Sequence, residues 1–313
     1  MTQKKHIFAN TDRWERLLPP LKGIVKFNEP LSKRNWFGTG GVAEVFIEPA
    51  DANDLSLLLQ SLPDVPFTLL GGGSNVLIRD GGIPGITVHL GKEFSSMSLS
   101  DNIITCGAGA LKTDVARFAL KNALSGFEFL ACIPGTIGGG IRMNAGCYGQ
   151  QMADVLVSLT AMTPTGEIKI IDPAENPFLQ YRKCLLPDNW IFLSAIFQGT
   201  PADPQAIQQR ITENKTKKEA TQPLGVRTAG STFKNPKDVP AWKLITDVGM
   251  KGANIGDAYV SDKHANFLIN KGTATSTQLE QLGETIRQKV LQNANIDLEW
   301  EVKRIGLPLS EDT

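Results

Sequence analysis

The sequence predicts an α+β fold in which two strand-rich lobes precede a third unit that mixes helices with short strands. Three observations predict it. Short apolar runs punctuated by glycine fill the first 200 residues, segments with helical spacing stand between and after them, and a proline joint lies at Pro201-Ala-Asp-Pro204. The 313 residues suffice for two or three domains. Basic and acidic residues cancel at 32 each, so no basic field points to nucleic acid. No apolar run approaches membrane-helix length, and the lysines near the N-terminus have no apolar segment behind them. A cytoplasmic monomer without membrane insertion is expected. Cys106, Cys132, Cys147 and Cys184 lack CxxC spacing and read as reduced thiols, while His6, His89 and His264 are too scattered for a metal site.

Taken in order, residues 1–30 read as a leading segment, with Trp14, Leu17 and Leu18 anchoring a short helix. Residues 31–95 form the first lobe, with strands at 44–48, 65–70, 76–78 and 86–90 and a leucine-rich helix at 51–62. Residues 96–201 form the second lobe. It has strands at 103–106, 155–162, 167–171 and 189–197, and a helix at 112–124 with Val115, Phe118, Ala119 and Ala123 on one face. Residues 202–313 form the third unit, beginning with a polar helix at 205–221. A helix at 277–292, capped by Ser276, carries the stripe Leu279, Leu282, Ile286 and Val290, and the chain ends in a strand at 297–304.

The stretch Ile133-Pro-Gly-Thr-Ile-Gly-Gly-Gly-Ile-Arg-Met-Asn-Ala-Gly-Cys-Tyr-Gly149 stands out. Its glycine content argues against helix or strand, and its isoleucines argue against a solvated loop. Further glycine clusters lie at 38–41, 71–73 and 81–85. No GxxxxGK[ST], helix-opening GxGxxG or GxSxG is present, which excludes the P-loop, Rossmann and α/β-hydrolase readings. Glycines dispersed over two lobes suit a long, acceptor-rich ligand such as a dinucleotide clasped by backbone amides; structural turns are the competing explanation.

Six motifs occur in order: Leu70-Gly-Gly-Gly-Ser-Asn-Val-Leu77, the 133–146 stretch, Tyr181-Arg182, Gly230-Ser-Thr-Phe-Lys-Asn-Pro236, Val260-Ser-Asp-Lys-His-Ala-Asn-Phe267 and Leu298-Glu-Trp-Glu-Val302. Together they resemble the UDP-N-acetylenolpyruvoylglucosamine reductase family, the UDP-N-acetylmuramate dehydrogenases of peptidoglycan precursor synthesis. The resemblance implies a two-lobed FAD-binding domain of the vanillyl-alcohol-oxidase type plus a C-terminal α+β substrate domain. It implies non-covalent FAD, NADPH as reductant, and UDP-N-acetylglucosamine enolpyruvate as the small-molecule substrate.

By the same resemblance, Ser231 is the proton donor, Arg182 binds the substrate carboxylate and stabilises the enolate, and Glu301 helps protonate it. A serine hydroxyl needs help to act as an acid, and Lys234 is the local candidate. Glu299 and Glu301 alternate on the expected strand and would face one side; Glu301 is chosen because it directly precedes the valine. Gly71, Gly72, Gly73, Ser74, Asn75, Pro134, Gly135, Thr136, Gly138, Gly139, Arg142, Asn144, Ala145 and Gly146 are the expected cofactor contacts. Tyr181, Lys234 and Asn235 are the expected substrate contacts, with Ser261, His264 and Asn266 in the same domain. Only 49 positions separate Arg182 from Ser231, which matches the family's shorter branch without an inserted tyrosine loop. The alternative is another flavoenzyme of this fold, an oxidase of small alcohols or sugars with flavin attached at His89 or Cys147.

Overall fold

The structure is a computed structural model that describes Phe8 and residues 12–309; most of residues 1–11, including His6, and residues 310–313 lie outside the described residues. The leading segment does hold a short helix, α1 (Asp12–Leu17), anchored by a fully buried Trp14 whose Nε1 donates to Glu44 at 2.8 Å. It then continues as a strand, Ile24–Pro30, antiparallel to Val42–Glu48. The first sheet therefore begins inside the segment expected to precede it. Ile83–His89 and Phe67–Leu70 complete that sheet in parallel. α2 (Ala52–Ser61) starts at Asp51, whose side chain accepts from the Asp54 amide at 2.8 Å.

The second sheet is antiparallel, in the order Ile168–Ile171, Leu156–Met162, Ile191–Gln198, Ile103–Gly107, Met97–Ser100. Alternating residues of both sheets meet in one continuous core that includes Val45, Ile47 and Val88 from the first and Ile104, Leu159 and Phe197 from the second. α3 (Lys112–Lys121) is shorter than expected, since Ala123 turns left-handed at φ 56° and Leu124 enters a two-residue strand.

Helix α5 (Pro204–Thr221) packs on the second lobe rather than opening the third. Arg210 pairs with Glu128 at 2.8 Å, Lys218 Nζ donates to the Cys132 carbonyl at 2.8 Å, and Ile207 and Ile211 are buried. The joint at 201–204 starts a helix: Asp203 accepts from Gln205 N and Pro204 sits in its first turn.

The third unit gathers α6 (Ala241–Asp247), α7 (Ser276–Ala294) and a small sheet around Phe233, Ile245, Leu268 and Leu279, with Phe37 and Leu77 of the first lobe in the same core. α7 is capped by Thr275, one residue before the expected Ser276, in a capping box with Gln278. Ser276 is occupied elsewhere, its hydroxyl donating to the Ile78 carbonyl at 2.6 Å. Asp80 accepts from the amides of Ser276 and Thr277 at 3.0 and 2.8 Å, and Arg79 grips Glu280, so this helix is docked to the first lobe.

The expected final strand shrinks to Lys303–Ile305, paired in parallel with Val76–Ile78 of the first lobe. Residues 297–302 are irregular, and only Trp300 bridges to Phe233. Strand alternation therefore does not apply to Glu299 and Glu301.

Candidate active site

The glycine-rich stretch contains a helix after all: α4 (Ile137–Arg142), begun by Thr136, whose hydroxyl accepts from Gly139 N. Its isoleucines are fully buried, and its glycines answer crowding. A Cβ at Gly138 would stand 3.1 Å from Ala108 Cβ, and one at Gly140 would stand 3.1 Å from Lys112 Cδ. The turn before the helix needs glycine for its backbone as well, since Gly135 has φ +94° and a Cβ there would reach 2.5 Å from Ser74 Oγ.

This stretch meets the 71–75 loop of the first lobe. Ser74 Oγ donates to the Pro134 carbonyl at 3.2 Å, and a Cβ at Gly72 would lie 2.8 Å from Gly135 Cα. The two loops run backbone against backbone along the wall of a cavity of about 560 Å³. Phe67, Thr68 and Leu69 line this cavity, as do Ser231 and Glu301.

Arg182 reaches the cavity from the tip of a two-residue hairpin, where Leu179–Gln180 pairs with Lys183–Cys184. Its φ is +52°, a strained conformation for a side chain of this size. Nη2 donates to the Gly146 carbonyl at 2.9 Å, and Nε lies 3.0 Å from Glu301 Oε1. Glu301 is held by its backbone: its amide donates to the Thr232 carbonyl at 2.8 Å, and its own carbonyl accepts from Asn75 Nδ2 at 3.1 Å. Burial pushes the Glu301 carboxyl above the ordinary range, against the downward pull of Arg182 and Lys234. Glu299 instead points outward and pairs with Lys234.

Ser231 lies next to Thr232, whose carbonyl anchors Glu301, and bridges to Phe267. Asn266, fully enclosed, holds this loop: its Oδ1 accepts from Phe233 N at 2.9 Å and its Nδ2 donates to Phe233 O at 2.8 Å. Among the described residues no side chain hydrogen-bonds the Ser231 hydroxyl, and it lines the open cavity.

The structure brings Ser231, Arg182 and Glu301 to one cavity with Gly71, Gly72, Gly73, Ser74, Asn75, Pro134, Thr136, Gly139, Arg142, Ala145 and Gly146. It leaves other expected contacts in bracing positions. Asn144 donates to Gln151 and the Gln180 carbonyl and accepts from Ala153 N. Arg142 lines the cavity, but its guanidinium donates to the carbonyls of Leu186, Pro187 and Trp190 and stacks on Phe192. Gly138 is spent on packing against Ala108, Asn235 caps α6 through Ala241 N, and Tyr181 is exposed beneath the Arg182 guanidinium. His264 packs edge-on against Phe267. His89 stacks on Phe46 beside Glu48, and Cys147 Sγ donates to the Phe129 carbonyl, so neither side chain lines the cavity.

Several lining residues were not singled out from the sequence, and the buried, charged Lys112 is one of them. Lys112, at the start of α3, is only 4% exposed and has no carboxylate partner among the described residues. A lysine at a helix start between Leu111 and Thr113 carries no local sign of burial.

A wall of crowded glycine backbone and a buried cation suit a large anionic ligand, and FAD fits these residues. The comparisons with known proteins agree. A family profile described as the FAD binding domain matches residues 43–172, and one described as the UDP-N-acetylenolpyruvoylglucosamine reductase C-terminal domain matches 222–305. The reductase of Paramagnetospirillum magneticum is 46% identical over 295 residues, covering 94% of this chain and 96% of the relative. That of Parvibaculum lavamentivorans is 44% identical over 291 residues, covering 93% and 94%. The crystal structure of the Thermus caldophilus UDP-N-acetylenolpyruvylglucosamine reductase superposes with a TM-score of 0.81 at 29% identity, over 91% of this chain and all of that one.

Proposed function

The chain belongs to the UDP-N-acetylenolpyruvoylglucosamine reductase family, and from that premise we propose that it reduces UDP-N-acetylglucosamine enolpyruvate to UDP-N-acetylmuramate with NADPH and FAD, using Ser231, Arg182 and Glu301. The observation that carries the reading is the convergence of these residues from three distant segments, with Arg182 and Glu301 in an ion pair at 3.0 Å.

FAD, which the 71–75 and 133–146 loops would hold, would supply hydride transfer from NADPH to the enolpyruvyl double bond. The chain's residues handle charge and protons. Arg182 grips the substrate carboxylate and stabilises the negative charge that develops beside it, which a planar, permanently charged guanidinium suits. Ser231 Oγ supplies the proton to the carbon that carries the ether oxygen. Glu301, whose carboxyl burial raises above the ordinary range, assists from the same cavity. Lys234 pairs with Glu299 rather than with Ser231, and its charge pulls the Glu301 carboxyl down.

The same proposal divides the chain into a first lobe from residue 24, a second lobe running through α5, and a substrate domain from 222, with the final strand returning to the first lobe. Cytoplasmic location and a monomeric state belong to it too, supported by four free cysteines and by a site whose three chemical residues come from one chain. The positions of His89 and Cys147 do not favour the covalent-flavin alternative. Ser231→Ala tests the assignment. NADPH should still bleach the flavin, while recovery of its colour on adding substrate should slow at least about a hundredfold. Equal slowing of both half-reactions contradicts the role given to Ser231.

A further inference from the structure

Lys112 is a buried cation that the chemistry just described does not use. It opens α3, with its amide donating to the Gly135 carbonyl at 3.0 Å, which ties it to the turn that begins the glycine-rich wall. Its side chain passes between two glycines. A Cβ at Gly140 would meet Cδ at 3.1 Å and Nζ at 3.6 Å, and a Cβ at Gly135 would lie 3.8 Å from Nζ. The same imagined Cβ at Gly135 would touch Ser74 Oγ, so the ammonium stands where the 71–75 loop and the 133–140 turn converge. A side chain at Gly140 would press on it, and one at Gly135 would lie in contact with its ammonium.

The surroundings supply no counter-ion. The titratable groups near it are Cys147 and Arg182, and Arg182 is itself paired with Glu301. Arg142, on the helix packed against it, is turned toward the 186–190 carbonyls. The Cys147 thiol, pushed up to about 12, is neutral at any working pH. No hydrogen bond or ion pair of the Lys112 ammonium forms among the described residues. A lysine buried this far without a partner is costly unless something anionic arrives.

We propose that Lys112 is a cofactor-binding residue whose ammonium takes the diphosphate of the bound dinucleotide at the junction of the 71–75 and 133–140 loops. This rests on the FAD reading of the cavity. Backbone amides of glycine loops recognise phosphate by hydrogen bonds alone; a desolvated ammonium adds a full charge where water is excluded. Without a ligand, burial holds the Lys112 ammonium down to about 7. A bound diphosphate favours the charged form and raises that value. FAD binding should therefore take up protons above pH 7, and affinity should fall as the pH rises from 6 to 8.5.

The test measures FAD affinity of the apoprotein by fluorescence quenching, with proton uptake by calorimetry in buffers of different ionisation enthalpy. Wild type should bind more tightly at pH 6 than at pH 8.5. Lys112→Met should bind FAD at least about tenfold more weakly at pH 6 and lose the pH dependence, while Lys112→Arg, charged throughout, keeps affinity without the pH dependence. Should Lys112→Met fold poorly, the proton uptake of wild type and the pH profile of Lys112→Arg decide alone. Equal FAD affinity in Lys112→Met and wild type overturns the inference. So does an unchanged FAD affinity accompanied by weaker binding of UDP, which would place the substrate's diphosphate there instead. Wild type that binds no FAD at all refutes the FAD reading itself, a separate outcome.

Discussion

Glu301 and Glu299 sit two positions apart and meet different fates. Glu301 is drawn into the cavity by the Thr232 and Asn75 hydrogen bonds, where burial favours its protonated form, while Glu299 stays at the surface with Lys234. Glu301→Gln should therefore cut turnover about a hundredfold with little change in KM, and Glu299→Gln should leave both nearly unchanged. Steady-state kinetics of the two variants checks this. On the proposed role of Glu301 as an acid, and with burial raising its carboxyl, wild-type activity should decline as the pH climbs and that carboxyl ionises; the limb should vanish in Glu301→Gln. The sequence named both glutamates but could not part them. The separation depends on an irregular segment, and strand alternation predicted the opposite of what the backbone does there. Arg182 likewise was legible as a residue type, whereas its left-handed φ at a hairpin tip was not.

At the scale of elements, α4 shows why composition misled. Glycine is a poor helix former, yet Ile137–Arg142 is helical because its isoleucines anchor it in the core, while its glycines spare tight contacts with Ala108 and Lys112. Strands and long helices were readable from periodicity, since burial of one face imposes it. The short pieces at 97–100 and 179–184 were not, because two to four residues carry too little pattern. Gly135→Ala forces a positive φ on a side chain and collides with Ser74 Oγ. It should cost about 1–3 kcal/mol and release flavin on gel filtration. Asp80→Ala removes the acceptor that docks the start of α7. A loss of about 1 kcal/mol, seen as a Tm lower by roughly 2–4 °C, is expected with flavin retained.

On the scale of the whole molecule, the two lobes share one core, and the third unit is locked to the first by α7, by Phe37 and Leu77, and by the strand Lys303–Ile305. Most strands of the two sheets were readable from the sequence, but their common core was not, because it depends on contacts between residues more than a hundred positions apart. The returning strand escaped for the same reason. The site is built where these connections cross, so cofactor binding should stabilise the whole chain. Saturating FAD should raise Tm and sharpen unfolding into one transition seen alike by flavin and tryptophan fluorescence. The most direct test of the central claim is NADPH oxidation by the flavin-loaded protein with and without UDP-N-acetylglucosamine enolpyruvate. Rapid oxidation is expected only when that substrate is present, with UDP-N-acetylmuramate formed one for one. A fully flavinated sample whose NADPH oxidation does not respond to the substrate would contradict the claim.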